Sequence, residues 1–264
     1  MTVLEVILCG VLGLFAGTVG GLAGIGGSLI ILPGLALLLG YRDPAQSEQH
    51  MYMAAAMWIN ILVAVPAALR HRQAGQSRWD LVKVILPAML IGMVVGVLLS
   101  NKVEGLRLRQ GLAVFIAIYC LLNIWRALKP VREETRPKER IDKARLSFCG
   151  SSTGLISGLL GIGGGSVLIP QLQLMCKVRL KHAVATSLTV MPATAVVGAS
   201  IKTGTLHTHD QPVYGALILI AAIGPMAILG GRLGAGLMHH LPLRVVRVII
   251  AVVLLAAAVR MAGL

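Results

Sequence analysis

Apolar stretches of about 20 residues recur from one end of this 264-residue chain to the other, and that recurrence leaves few folds open. In hydrocarbon, water is not there to satisfy backbone N–H and C=O groups, so each such stretch is expected to close its own hydrogen bonds as a helix. Only 13% of the residues are charged and 56% are hydrophobic, against about 25% charged in soluble domains. Such a chain cannot cover a water-facing surface. Composition therefore excludes a soluble enzyme, a disordered chain and a secreted disulfide scaffold, and predicts an all-α polytopic membrane protein.

The formal charge of +14 would suggest nucleic acid in a soluble protein. Here the Lys and Arg residues gather between the apolar segments, where anionic lipid headgroups are their natural partners. Aromatic residues make up only 4% of the chain, too few for the stacking platforms of single-strand binding. No nucleic-acid partner is expected. The four cysteines, Cys9, Cys120, Cys149 and Cys176, lie singly with no C-x-x-C spacing, which supports neither zinc nor a disulfide framework. No cofactor and no metal are expected. Met1–Leu22 has no basic start and no small-residue cleavage site, and reads as a retained first segment.

Apolar segments run over Val3–Leu39, Met51–Leu69, Leu81–Leu99, Leu108–Trp125, Leu146–Cys176, Ala183–Ile201, Val213–Gly231 and Val245–Ala262. Most have the length of one helix across a core of about 30 Å, but the first has 37 residues and the fifth 31. These two share a phrase. Gly21–Pro33 reads GLAGIGGSLIILP and Gly158–Pro170 reads GLLGIGGGSVLIP, 137 residues apart and identical at seven positions. The chain is an internal duplication: residues 1–128 form a first membrane repeat, 129–144 a charged cytoplasmic linker, and 145–264 a second repeat.

Clustered glycines cost about 1 kcal/mol each in a helix interior, so each long segment is expected to break at its glycines. A break at membrane depth survives only if packed in protein or lining a wet cavity. Paired breaks in two halves point to a transporter's central site. If each long segment is a re-entrant hairpin returning to its starting side, 18 of the 24 Lys and Arg fall inside and six outside. Single crossings give 14 and 10, so the positive-inside tendency favours the hairpins. Each half then carries a glycine-broken re-entrant pair plus three crossings, and the halves form an inverted repeat. None of the Lys and Arg is expected inside a span.

A helix starting after a glycine turn presents unpaired N–H groups and the positive end of its dipole, which together attract anions. The candidate substrate-binding residues are therefore Gly24, Gly26, Gly27 and Ser28 in the first break, with Gly161, Gly163, Gly164, Gly165 and Ser166 in the second. Thr186 and Ser187 on the sixth segment join them as hydroxyls that either touch substrate or bond back to their own helix. The competing account of the glycines is close helix packing. His50 and His182 occupy matching positions and are candidate proton sensors, whereas His207 and His209 read as exposed and inert. Glu5 reads as reaching the membrane interface. The 11 methionines read as packing filler. Gly92 and Gly96 offer either a homodimer face or packing within one protomer.

The paired G-x-G-G phrases, each with a proline six residues after its last matched glycine, resemble the TauE/SafE family of sulfite-exporter-like membrane proteins. The tract His182–Leu188, HAVATSL, and the stretch Lys202–Gly204 also resemble that family's second half. The resemblance implies a permease of a bacterial inner membrane for small sulfur-containing anions, with the glycine motifs carried at Gly24, Gly26, Gly27, Gly161, Gly163, Gly164 and Gly165. The first half departs from the pattern: Ser28 stands opposite Gly165, and Met53–Met57 replaces the hydroxyl tract. The expected function is secondary, alternating-access transport of sulfite, sulfonates such as sulfoacetate or related organosulfur anions. The alternatives are a small organic carboxylate transporter, or a cation or metal channel. No Walker-type G-x-x-x-x-G-K-[ST] is present, and no span pairs carboxylates or carries H-x-x-x-H, so an intramembrane enzyme is not expected.

Overall fold

The computed structural model describes residues 1–73, 77–128, 139–237, 254, 255 and 258. Within them the chain is helical: α1 (Val3–Ala23), α2 (Ser28–Leu38), α3 (Glu48–Gln73), α4 (Trp79–Ser100), α5 (Gly105–Leu128), α6 (Lys143–Leu160), α7 (Gly165–Met175), α8 (Leu180–Gly204), a 3-10 turn (Leu206–His209) and α9 (Val213–Leu237). Six of these, α1, α3, α4, α5, α8 and α9, are long and apolar enough to cross a membrane. The predicted last segment, Val245–Ala262, lies outside the described residues except for Leu254, Leu255 and Ala258.

Both overlong segments break where the glycines sit. α1 ends on Gly24 at φ 70° and α6 on Gly161 at φ 72°, the left-handed cap that costs glycine nothing. After each break an 11-residue helix begins, capped by Gly27 or Gly164 without a side-chain bond. Each then folds back on its predecessor. Gly34 on α2 lies against Leu12 on α1, and Gln171 on α7 bonds Thr153 on α6 at 3.0 Å. Glu5, read as an interfacial carboxylate, forms a capping box with Thr2 at the start of α1.

The two halves of the chain interlock. α1 lies along α9, and α6 along α4. Gly13, Gly17 and Gly21 face the backbone carbonyls of Ile223, Ala227 and Gly231, while Gly150, Gly154 and Gly158 face those of Ile85, Met89 and Met93. The seams are matched from the other side by Gly230 and Gly234 on α9 and by Gly92 and Gly96 on α4. Helices in lipid gain from such close approach because no hydrophobic drive separates them from the tails. Gly92 and Gly96 are thus spent inside the protomer, on Ser151 and Leu155 of α6. α3 and α8 pack on each other through the centre.

Contacts define two ends. Met1, Glu5, Gly40, Arg42, Glu48 and Asp210 line one cleft, and the Leu106 amide donates to the Ala45 carbonyl. At the opposite end Arg78 pairs with Glu139 at 3.0 Å, Arg70 reaches the Arg232 carbonyl, and the Arg140 amide donates to the Cys176 carbonyl. The first hairpin therefore opens toward one end and the second toward the other. A thiol reagent confined to one side is expected to label cysteines placed at Arg140 and Lys177 together, and one at Arg42 only from the other side. Labelling of 140 and 177 from opposite sides would show that the second hairpin does not return.

Candidate functional site

The two breaks meet. The Gly163 amide of the second donates to Ser28 Oγ of the first, and Gly165 presses so closely on the Gly24 carbonyl that a Cβ would have no room. Asn60, the lone amide in the second apolar segment, projects from α3 between them. Its Oδ1 accepts from the Gly27 amide at 3.1 Å, and its Nδ2 lies beside Gly163, against the space a Cβ there would take. The Met191 methyl of α8 touches both Gly26 and Gly163.

All eleven candidate residues are buried, and they play different parts. Gly24 and Gly161 end the first limbs against Val184 and Met53 respectively. Gly26, Gly27, Ser28, Gly163 and Gly165 meet at the junction. Gly164 packs on the Met89 methyl. Ser166 Oγ turns back to the Gly163 carbonyl at 3.1 Å, and Ser187 Oγ bonds Met191 Sδ at 3.5 Å. The Thr186 hydroxyl is fully buried with no hydrogen-bond partner, an expensive condition unless something binds it. Thr189 and Thr194 bond back to their own helix.

Electrostatically the junction is positive without a basic side chain. The dipoles of α2 and α7 both start here, and the first-turn amides of Ser28, Leu29, Gly165 and Ser166 have no backbone partner among the described residues. The Gly27 and Gly163 amides are met by two side-chain oxygens, Asn60 Oδ1 and Ser28 Oγ. Those oxygens stand where the oxygens of a small anion would sit. An anion that displaced them would leave the Asn60 NH₂ and the Ser28 hydroxyl free to donate to it.

Three groups escaped the sequence reading. Asn60 is an isolated amide in the second apolar segment, and nothing in the sequence places it between the breaks. Ser157, buried with an unpartnered hydroxyl, occupies the position that Gly20 holds 137 residues earlier. Gly20 lies against the Gly26–Gly27 backbone. Lys202 corrects the expectation that no basic residue enters a span: it lies in α8 and is fully buried. His209, read as exposed, is half-buried and stacked on His50, whereas His182 at the start of α8 lies far along that helix from Lys202. Met53, Met89 and Met191, among the methionines read as packing filler, pack on break glycines. No group of three His, Cys, Asp or Glu fit for a metal occurs among the described residues.

The sequence pattern of the Sulfite exporter TauE/SafE family matches residues 9–261. The chain belongs to that family. It is 28% identical to the probable membrane transporter protein MamO of Magnetospirillum gryphiswaldense, over 98% of this chain and 45% of that protein. It is 26% identical to the probable membrane transporter protein YunE of Bacillus subtilis, over 93% of each. The chain thus spans less than half the length of MamO and nearly all of YunE. No solved structure matches it. Family and fold together make this TauE/SafE member a multi-pass membrane protein whose relatives are named as transporters.

Proposed function

We propose that this chain is a secondary transporter of a small anion in a bacterial inner membrane, carrying sulfite, sulfonates such as sulfoacetate, or related organosulfur anions. The observation that carries the reading is the meeting of two glycine-started helices, with their break amides held by Asn60 Oδ1 and Ser28 Oγ. An oxyanion has the charge for the paired dipoles and the oxygens for the amides. A site built from backbone and neutral side chains binds without a fixed cation, which favours release as well as capture. Because the two hairpins open toward opposite ends, the repeats read as inverted, with re-entrant hairpins entering from opposite sides. Rocking of one repeat against the other around the junction would expose it alternately. The end bearing Arg70, Arg78, Arg140 and Arg232 reads as cytoplasmic, with residues 1–128 and 145–264 as the repeats and 129–144 as the linker.

The test is thermal stabilisation of the purified protein by sulfite, sulfate, thiosulfate, sulfoacetate, taurine, acetate and lactate. A ligand that binds only the native state raises apparent stability by about 2.7 kcal/mol at one hundred times its Kd. A shift with sulfite or a sulfonate, lost in Gly164→Leu, is the expected result. A shift with acetate or lactate alone would move the reading to carboxylates, and stabilisation only by metal cations would replace the anion reading.

A further inference from the structure

At the end where α3 begins and α4 and α8 finish, the buried Lys202 ammonium lies 2.6 Å from His50 Nδ1, 2.8 Å from Ser100 Oγ and 2.8 Å from Asn101 Oδ1. In its ammonium form Lys202 has three hydrogens and no lone pair, so it donates all three contacts and His50 Nδ1 is the acceptor. No carboxylate bonds this lysine among the described residues, although buried cations are normally paired with acids. The His50 ring lies flat on His209, with centroids 3.6 Å apart and planes 8° from parallel. His209 Nε2 has no hydrogen-bond partner.

The cluster joins the two repeats. His50, Ser100 and Asn101 come from the first, and Lys202 and His209 from the second. Two more bonds cross the same seam: Trp58 Nε1 donates to Thr203 Oγ1 and Asn101 Nδ2 to Thr205 Oγ1, each at 3.0 Å. Met57, Met93, Val97 and Ala199 pack together between this seam and the glycine junction. The titratable and charged groups around the cluster are Lys202 on α8, His50 on α3, and His209 and Asp210 at the 3-10 turn. Glu48 on α3 faces the Arg42 and Asp43 amides instead, and Lys102 and Glu104 before α5 are exposed.

We propose that the Lys202–His50–His209 cluster is a proton-binding site that latches the two repeats together at this end. With His50 unprotonated, its ring accepts from Lys202 and the end is closed. A proton on His50 removes that acceptor and sets a second positive charge against the ammonium, and the end opens toward the junction. Burial and the Lys202 charge hold His209 below the usual histidine range. A second positive charge on His50 beside the Lys202 ammonium is disfavoured while the end is closed, so closure is favoured above about pH 6.5, where an ordinary histidine is neutral, and loses ground as pH falls below it. Proton uptake here would be the coupling step of the transport reading, on which its role in transport rests. The latch itself requires no particular substrate.

The test is alkylation of Ala199→Cys by a water-soluble maleimide, normalised at each pH to the same protein unfolded in detergent. The parent chain, whose Cys9, Cys120, Cys149 and Cys176 are buried, serves as blank. Labelling is expected to rise several-fold from pH 7.5 to pH 5.5. His50→Gln, whose amide oxygen still accepts from Lys202 but takes no proton, is expected to stay protected at both pH values. Lys202→Met is expected to label at both. A flat profile in the Ala199→Cys protein, or a rise retained in the Ala199→Cys/His50→Gln protein, would overturn the latch. Because the readout uses no substrate, either result leaves the anion-panel outcome to be judged separately.

Discussion

Gly165→Val will separate the two hairpins and yield a protein that aggregates on extraction and shows no anion-induced stabilisation. A Cβ at this position would meet the Gly24 carbonyl oxygen and lie 2.8 Å from Ile25 Cα. Both are backbone atoms that no rotamer change can move. Overpacking a core typically costs about 1–3 kcal/mol, and a clash with the Gly24–Ile25 backbone belongs at or beyond the top of that range. Against a total stability of about 5–15 kcal/mol, that loss takes a large share of the fold's margin, readable as loss of the monodisperse peak in size-exclusion chromatography. Gly27→Ala is the control. Its nearest neighbour is Ile31 Cδ1 at 3.2 Å, so the chain folds, while Gly27→Leu is expected to reach the membrane and lose binding. If Gly165→Val keeps both its folding and its ligand response, the contact between the breaks is not what holds the site.

Asn60 gives the second large effect, and its two substitutions separate fold from charge. In Asn60→Leu the buried Gly27 amide loses its acceptor, at a cost of about 1–3 kcal/mol, and the melting temperature falls together with the ligand response. Asn60→Asp keeps an oxygen for the Gly27 amide, so the fold persists, but it places a negative charge where the anion would bind. Repulsion at a few ångströms in a poorly screened interior is expected to lower anion affinity by at least tenfold, about 1.4 kcal/mol. A cation carrier would respond in the opposite sense. Stabilisation of Asn60→Asp by a monovalent or divalent cation, with no loss toward anions, would sink the anion reading at its centre.

The sequence located the helices and both breaks because those features are local. Apolar length sets where a helix crosses lipid, and clustered glycines set where it stops. The breaks expected at the clustered glycines are observed, and Gly24 and Gly161 supply their left-handed caps. The glycine seams were ambiguous for an equally physical reason. A small residue licenses close approach without saying to what, so Gly92 and Gly96 suited a second copy as well as α6. His209 was misread because exposure depends on what packs beside a residue. Here that is His50, far away in sequence.

What the chain's own sequence determined is the material of the site: two duplicated glycine breaks in a helical membrane protein, each opening a short helix whose first amides lack partners. That follows from backbone chemistry in a solvent that forms no hydrogen bonds. Only the tertiary structure decided that the breaks face each other, that Asn60 and Ser28 cap them, and that Lys202 is buried between α3, α4 and α8. Those outcomes depend on α1 packing along α9 and α6 along α4. Such pairings join residues about 60 positions apart in one case and about 210 in the other, and leave no periodic trace in either segment alone.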